Sequence, residues 1–210
     1  MKKLLTVMLV LVMAFAFASC GGGSEGDGEG DDVSKSKLTG VFGEIGKESG
    51  IHMNYEMEID GKTTVTDIYM KDDKIYTEMD MEGLGKSITI YTDGYMYTLT
   101  PETKTGIKTK VDEDTQETLE TDTVLENYEE YTGDVDFEKG EKEVDGKTYY
   151  SETYKSGDSS VIYCFDGDKL VYMISVTGEG EETIIKYNAI DGDVDDSIFE
   201  VPDGYTITEM

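Results

Sequence analysis

The sequence predicts a mainly β (α+β) protein, a single curved antiparallel sheet in one domain with one or two short helices on one face. Three observations predict it. Apolar and polar residues alternate with period two through most of the chain beyond residue 50, as in strands that bury one face. The alternating runs are divided by Asp-Gly pairs and short acidic turns, the residues that tight hairpins use. One stretch, Asp114 to Thr132, breaks the alternation and carries helix-start spacing.

The chain opens with Lys2 and Lys3, an uncharged apolar run from Leu4 to Phe17, and the small residues Ala18 and Ser19. That layout reads as a secretory signal over residues 1–19, and the apolar run is short of the roughly 20 residues a spanning helix needs. Cys20 follows at once. Phe17-Ala18-Ser19-Cys20 resembles the lipobox of bacterial lipoproteins. The resemblance implies cleavage before Cys20, acylation of its sulfur, and a lipid-anchored protein on the outer face of a cell membrane. Two acyl chains anchor durably, since each buried CH2 contributes about 0.8 kcal/mol.

Residues 20–37 continue as a lipidated cysteine and a glycine-rich, acidic tether. Gly21 to Ser36 has no apolar residue but Val33, so it cannot bury a core. A flexible coil of that length spans on the order of 20–24 Å, enough to hold residues 38–210, the folded domain, off the membrane.

Within the domain, Ile51, Met53, Tyr55, Met57 and Ile59 alternate with His52, Asn54, Glu56 and Glu58. Asp60-Gly61 turns the chain into Val65 to Met70, and Lys71 to Lys74 turns it into Ile75 to Met81. Ser87 to Thr92 and Tyr95 to Leu99 flank Asp93-Gly94, and Gly106 to Val111 follows Pro101. After the predicted helices, Asp145-Gly146 leads into Tyr149 to Tyr154. Ser160 to Phe165, Leu170 to Val176 and Thr183 to Ile190 complete the strands. The last three are apolar on both sides and read as strands covered twice. Glu58 to Thr63 and Glu143 to Thr148 echo each other, which a shared hairpin recipe explains.

Composition excludes several functions. There are 18 basic residues, all lysine, against 47 acidic ones, for a net charge of -29. Nucleic acid is no partner, because phosphate binding needs a basic patch. His52 is the sole histidine and falls on the polar side of its strand, which speaks against a Ser-His pair or a histidine metal site. Asp191 to Asp196 lacks the glycine and glutamate of a calcium loop. No catalytic constellation is visible, so the expectation is a non-enzyme with no cofactor and no metal. If Cys20 is acylated, Cys164 has no disulfide partner, and it reads as a buried small hydrophobe.

Two further pieces carry a family resemblance. One is Thr183 to Asn188 followed by Asp195 to Tyr205, with Phe199-Glu200-Val201-Pro202-Asp203-Gly204 as its core. The other is Lys74 to Met79 with Tyr95 to Pro101 and Lys104-Thr105-Gly106. Together they resemble the LolA-like lipoprotein-carrier superfamily and its lipoprotein relatives. This chain differs from the carriers proper in having no arginine and its own lipobox. The resemblance implies a strongly curved half barrel whose concave apolar face holds acyl chains. Residues placed to line that groove are Met53, Tyr55, Met57, Ile59, Met79, Met81, Ile88, Ile90, Tyr163, Phe165 and Tyr172. Flexible methionines suit such an adaptable surface. The expected partner is therefore a lipid or other hydrophobic small molecule. The alternative is an envelope sensor or interaction module, with a filled core and a protein partner.

Overall fold

The computed structural model describes residues 36–45, 50–59, 61–112, 115 and 137–210. It contains one open, curved sheet of twelve strands. A first meander comprises β1 (Ile51–Ile59), β2 (Lys62–Lys71), β3 (Lys74–Met81), β4 (Gly85–Thr92), β5 (Tyr95–Thr100) and β6 (Thr105–Lys110). A second comprises β7 (Phe137–Val144), β8 (Lys147–Ser156), β9 (Ser159–Asp166), β10 (Lys169–Val176) and β11 (Glu182–Asp191). A 3-10 helix (Asp196–Phe199) and a short β12 (Thr206–Glu209) end the chain. The spatial order is β12-β6-β5-β4-β3-β2-β1-β11-β10-β9-β8-β7, so β1 and β11 form an antiparallel seam between the meanders. Every pairing is antiparallel except β12 on β6.

The Asp-Gly turns work as expected. Asp93 and Gly94 both have positive φ (52° and 73°), as do Asp145 and Gly146 (52° and 75°), the geometry whose twist matches a two-residue hairpin. The two echoing segments join their hairpins alike, with Ile59 opposite Lys62 and Val144 opposite Lys147. Two irregularities bend the sheet near the seam. The register shifts between Asn54 and Tyr55 where β1 meets β11, and between Leu170 and Tyr172 where β10 meets β9. Bulges of this kind kink a strand and increase its twist.

Helix α1 (Lys37–Ile45) lies on the sheet. Leu38, Val41, Phe42 and Ile45 recur at helical spacing and join the core. Nine residues are too few for a stable helix in water, so tertiary contacts hold it. Ser36 caps it locally, accepting from the Thr39 amide at 3.3 Å. The sheet supplies the rest through Glu152, which is fully buried on β8. Its carboxylate accepts from the Ser36 hydroxyl at 2.7 Å and from the Lys37 and Leu38 amides at 2.8 and 3.3 Å. Tyr150 also donates to it, at 3.1 Å. A carboxylate at a helix N-terminus satisfies orphan amides and complements the dipole. Ser36 and Lys37 thus belong to the folded body, whereas the sequence assigned them to the tether. The helices predicted over Asp114 to Thr132 fall outside the described residues except for Thr115, as do residues 1–35 with Cys20.

Apolar residues cluster on both faces. On the face that α1 covers, Phe137, Tyr154, Tyr163, Phe165, Leu170 and Met173 pack with Met53, Tyr55 and Ile185. On the opposite face of the first meander, Tyr76, Ile88, Ile90 and Leu99 pack under the C-terminal segment through Val194 and Phe199. A third cluster joins Val144, Cys164, Tyr172 and Ile174 on the opposite face of the second meander. Strands β9 and β10 are therefore buried on both sides, as their sequences predict. β11 is not: Ile184 on its opposite face is 41 % exposed.

Candidate functional site

The register places six side chains in a grid on the helix face. β2 contributes Thr66 and Thr64. Across β1, Tyr55 lies opposite Thr66 and Met57 opposite Thr64. Across β3, Met79 lies opposite Thr66 and Met81 opposite Thr64. Two threonines thus stand between a methionine pair on one side and a tyrosine and methionine on the other. Met57, Met79 and Met81 are half-buried. Directly opposed side chains on one face sit about 4.5–5.5 Å apart at Cβ, so the six form one continuous surface.

Three hydroxyls in this grid have no hydrogen-bond partner: Tyr55 Oη, Thr64 Oγ1 and Thr66 Oγ1. Tyr55 is 4 % exposed and both threonines are 0 % exposed. Burial pushes the Tyr55 phenol up to about 12, and the nearby Thr66 hydroxyl counters that in part without hydrogen-bond geometry. Tyr187 meets the Tyr55 ring edge-on at 6.1 Å between centroids, and burial pushes its phenol up as well. The site is apolar, uncharged and hydroxyl-bearing.

The residues predicted to line a groove divide between the two faces. Met53, Tyr55, Met57, Ile59, Met79 and Met81 share the helix face near the seam, and Tyr163 and Phe165 share it further along on β9. Ile88, Ile90 and Tyr172 lie on the other face. Ile88 pairs with Glu78 and Ile90 with Tyr76, and both pack beneath Val194 and Phe199. Tyr172 packs edge-on against Tyr149 at 5.4 Å and donates to Asp145 at 3.2 Å. The bulge at Leu170 shifts Tyr172 away from the face that the alternation assigned to it. Thr64 and Thr66, central to the grid, were not among the predicted residues.

The other chemistry-bearing residues are in structural use. His52 stacks on Tyr69 with centroids 4.2 Å apart and places its two ring nitrogens 3.1 Å from Asp191 and 3.2 Å from Asp67. Cys164 is free and wholly buried, and burial raises its thiol to about 11. Asp195 accepts from the Ser197 amide at 2.8 Å and starts the 3-10 helix, while Asp196 pairs with Lys71 at 3.3 Å. Among the described residues no cluster could hold a metal ion. No described helix is long and apolar enough to cross a membrane. A polar cleft of about 400 Å³ lies on the opposite face between Lys74, Tyr97, Phe199 and Val201, away from the grid.

No protein-family model matches the chain, and no curated protein matches its sequence. Solved structures do match the sheet. An uncharacterised conserved protein from Thermus thermophilus aligns over 83 % of this chain and all of its own, with 10 % identity and a TM-score of 0.49. LprF from Mycobacterium bovis aligns over 80 % of this chain and 97 % of its own, at 9 % identity and 0.48. The lipoprotein LppX of Mycobacterium tuberculosis aligns over 76 % and 95 %, at 11 % identity and 0.43. These likenesses concern the sheet alone.

Proposed function

We propose that this chain is an exported protein, held at the outer face of a cell membrane by an acylated Cys20, which binds a lipid or other apolar ligand on the helix face of its sheet. The grid of Met57, Met79 and Met81 around buried, unpartnered hydroxyls carries the reading. Flexible methionines serve adaptable surfaces as well as irregular cores, but hydroxyls that bond nothing are rare in a closed core. An adaptable ligand surface uses both. The resemblance of the closing segment to LolA-like carriers supports the same role, and the lipobox-like Phe17 to Cys20 supports the anchor. The proposed role is binding, with His52, the sole histidine, held by two carboxylates and a ring.

The test uses the chain from Cys20 onward with Cys20→Ser, so that no acyl group attaches. It is purified without detergent and its bound lipids are analysed by native mass spectrometry. The expected result is a stoichiometric apolar ligand. A protein that is empty and takes up no added lipid would remove the reading and favour a protein-interaction module. In the natural chain, the N-terminal peptide should carry a diacylglyceryl group on Cys20, and an unmodified thiol there would remove the anchor.

A further inference from the structure

We infer that Tyr55, Thr64 and Thr66 form the polar end of the ligand site and select an acyl ester over a bare hydrocarbon. The inference rests on the ligand-binding reading above and deepens it. Leaving a buried hydroxyl unsatisfied forfeits its hydration with nothing in return, and native proteins contain few such groups. Here three lie together, all more than nine-tenths buried, on two adjacent strands. Valine would fill either threonine position at similar volume without the penalty. The hydroxyls therefore point to a partner that the empty protein does not supply.

Their chemistry defines that partner. All three can donate a hydrogen bond, and the Tyr55 phenol keeps its proton far above neutral pH. What three donors on an uncharged surface recognise is a group of acceptors beside an apolar chain. The carbonyl and alkoxy oxygens of an acyl ester fit. Met57 flanks the threonines on one side and Met79 and Met81 on the other, and these unbranched side chains would shift to admit the ligand. The acyl chain would continue along the helix face over Met53 and Ile68, which face each other across β1 and β2.

The experiment measures displacement of an apolar fluorescent dye from the Cys20→Ser chain by methyl laurate and by an alkane of equal length, both delivered from cyclodextrin. The ester is expected to compete at roughly tenfold lower concentration, the discrimination of about one buried hydrogen bond. In the triple variant Tyr55→Phe, Thr64→Val, Thr66→Val the alkane should still compete and the preference should vanish. Thr64→Ser with Thr66→Ser should restore much of it. The empty triple variant should be as stable as the parent or more so. Equal competition by ester and alkane in the parent overturns the inference and leaves an apolar site standing. Marked destabilisation of the triple variant also overturns it, since the hydroxyls would then have structural partners. Failure of dye, ester and alkane alike to bind removes the ligand-binding reading itself.

Discussion

The two meanders solve the same packing problem on different faces. β7 to β11 bury Phe137, Tyr154, Tyr163 and Phe165 on the face that α1 covers, with Tyr154 stacked on Phe137 at 5.5 Å and edge-on to Tyr163 at 5.6 Å. β2 to β6 bury Tyr76, Ile88, Ile90 and Leu99 on the other side, under the segment from Val194 to Ile207. Near the seam the helix face of the first meander still supplies Ile51, Met53, Tyr55 and Met70 to the core. On β2 to β4 it carries Thr64, Thr66, Thr77, Thr89 and the methionines of β3, with the buried ring of Tyr91 beside them. The lesson is a division of labour. A sheet that anchors one half from behind can line the front of that half differently.

The largest test acts on both halves at once. Burial raises the phenols of Tyr55 and Tyr172 to about 12, and those of Tyr76, Tyr154 and Tyr187 upward too. These groups ionise near 10 in the unfolded chain. Folding therefore keeps them protonated where the unfolded chain would release protons, and the unfolded state gains as pH rises. Stability should be flat below about pH 10 with respect to these groups and fall steeply between about 10 and 12. Tyrosinate absorbance should rise together with loss of circular dichroism. Phenols that titrate freely near 10 while the fold persists would contradict their burial, and two separate transitions would show that the halves melt apart.

Next in size is Glu152→Ala. It strips the helix N-terminus of its carboxylate and leaves the Ser36 and Tyr150 hydroxyls and two amides without their acceptor. A loss of about 3 kcal/mol in urea denaturation is expected, with α1 and the helix face of β8 to β10 losing hydrogen-exchange protection first. Unchanged stability would mean that α1 does not depend on the second meander. Smaller and confined to the first is Gly106→Val. A Cβ there would stand 2.5 Å from Leu99 and 2.9 Å from Ile207, so overpacking of about 1–3 kcal/mol follows. β12 and the C-terminal segment should lose exchange protection while β7 to β11 keep theirs. A loss spread evenly over the sheet would erase the comparison.

Much of this fold was legible because strands announce themselves by period two and the hairpins by Asp-Gly. What escaped did so for definite reasons. β7 reads Phe-Glu-Lys-Gly-Glu-Lys-Glu-Val, with burial at its two ends only, so it looks like a charged loop. Such charges suit an edge strand by discouraging further pairing. α1 had its signal in Leu38, Val41, Phe42 and Ile45, but it follows a long polar run and takes its capping charge from a residue over a hundred positions away. In the site, alternation placed Tyr55, Met57, Met79 and Met81 together. Thr64 and Thr66 were readable only through register, since the turn that sets Ile59 opposite Lys62 also sets Met57 opposite Thr64. Ile88 and Ile90 were misassigned because β3 and β4 are joined by a three-residue loop, which reverses the parity that a two-residue hairpin would keep.

The seam between β1 and β11 has a kinetic consequence. Its Glu56–Lys186 pair spans 130 residues of chain, so the first strand meets its second neighbour only when nearly the whole polypeptide is present. Closing a loop of that length costs entropy before any contact repays it, and topologies of this kind fold slowly. Each meander can begin as local hairpins, but the continuous twelve-stranded sheet is completed last and in its middle.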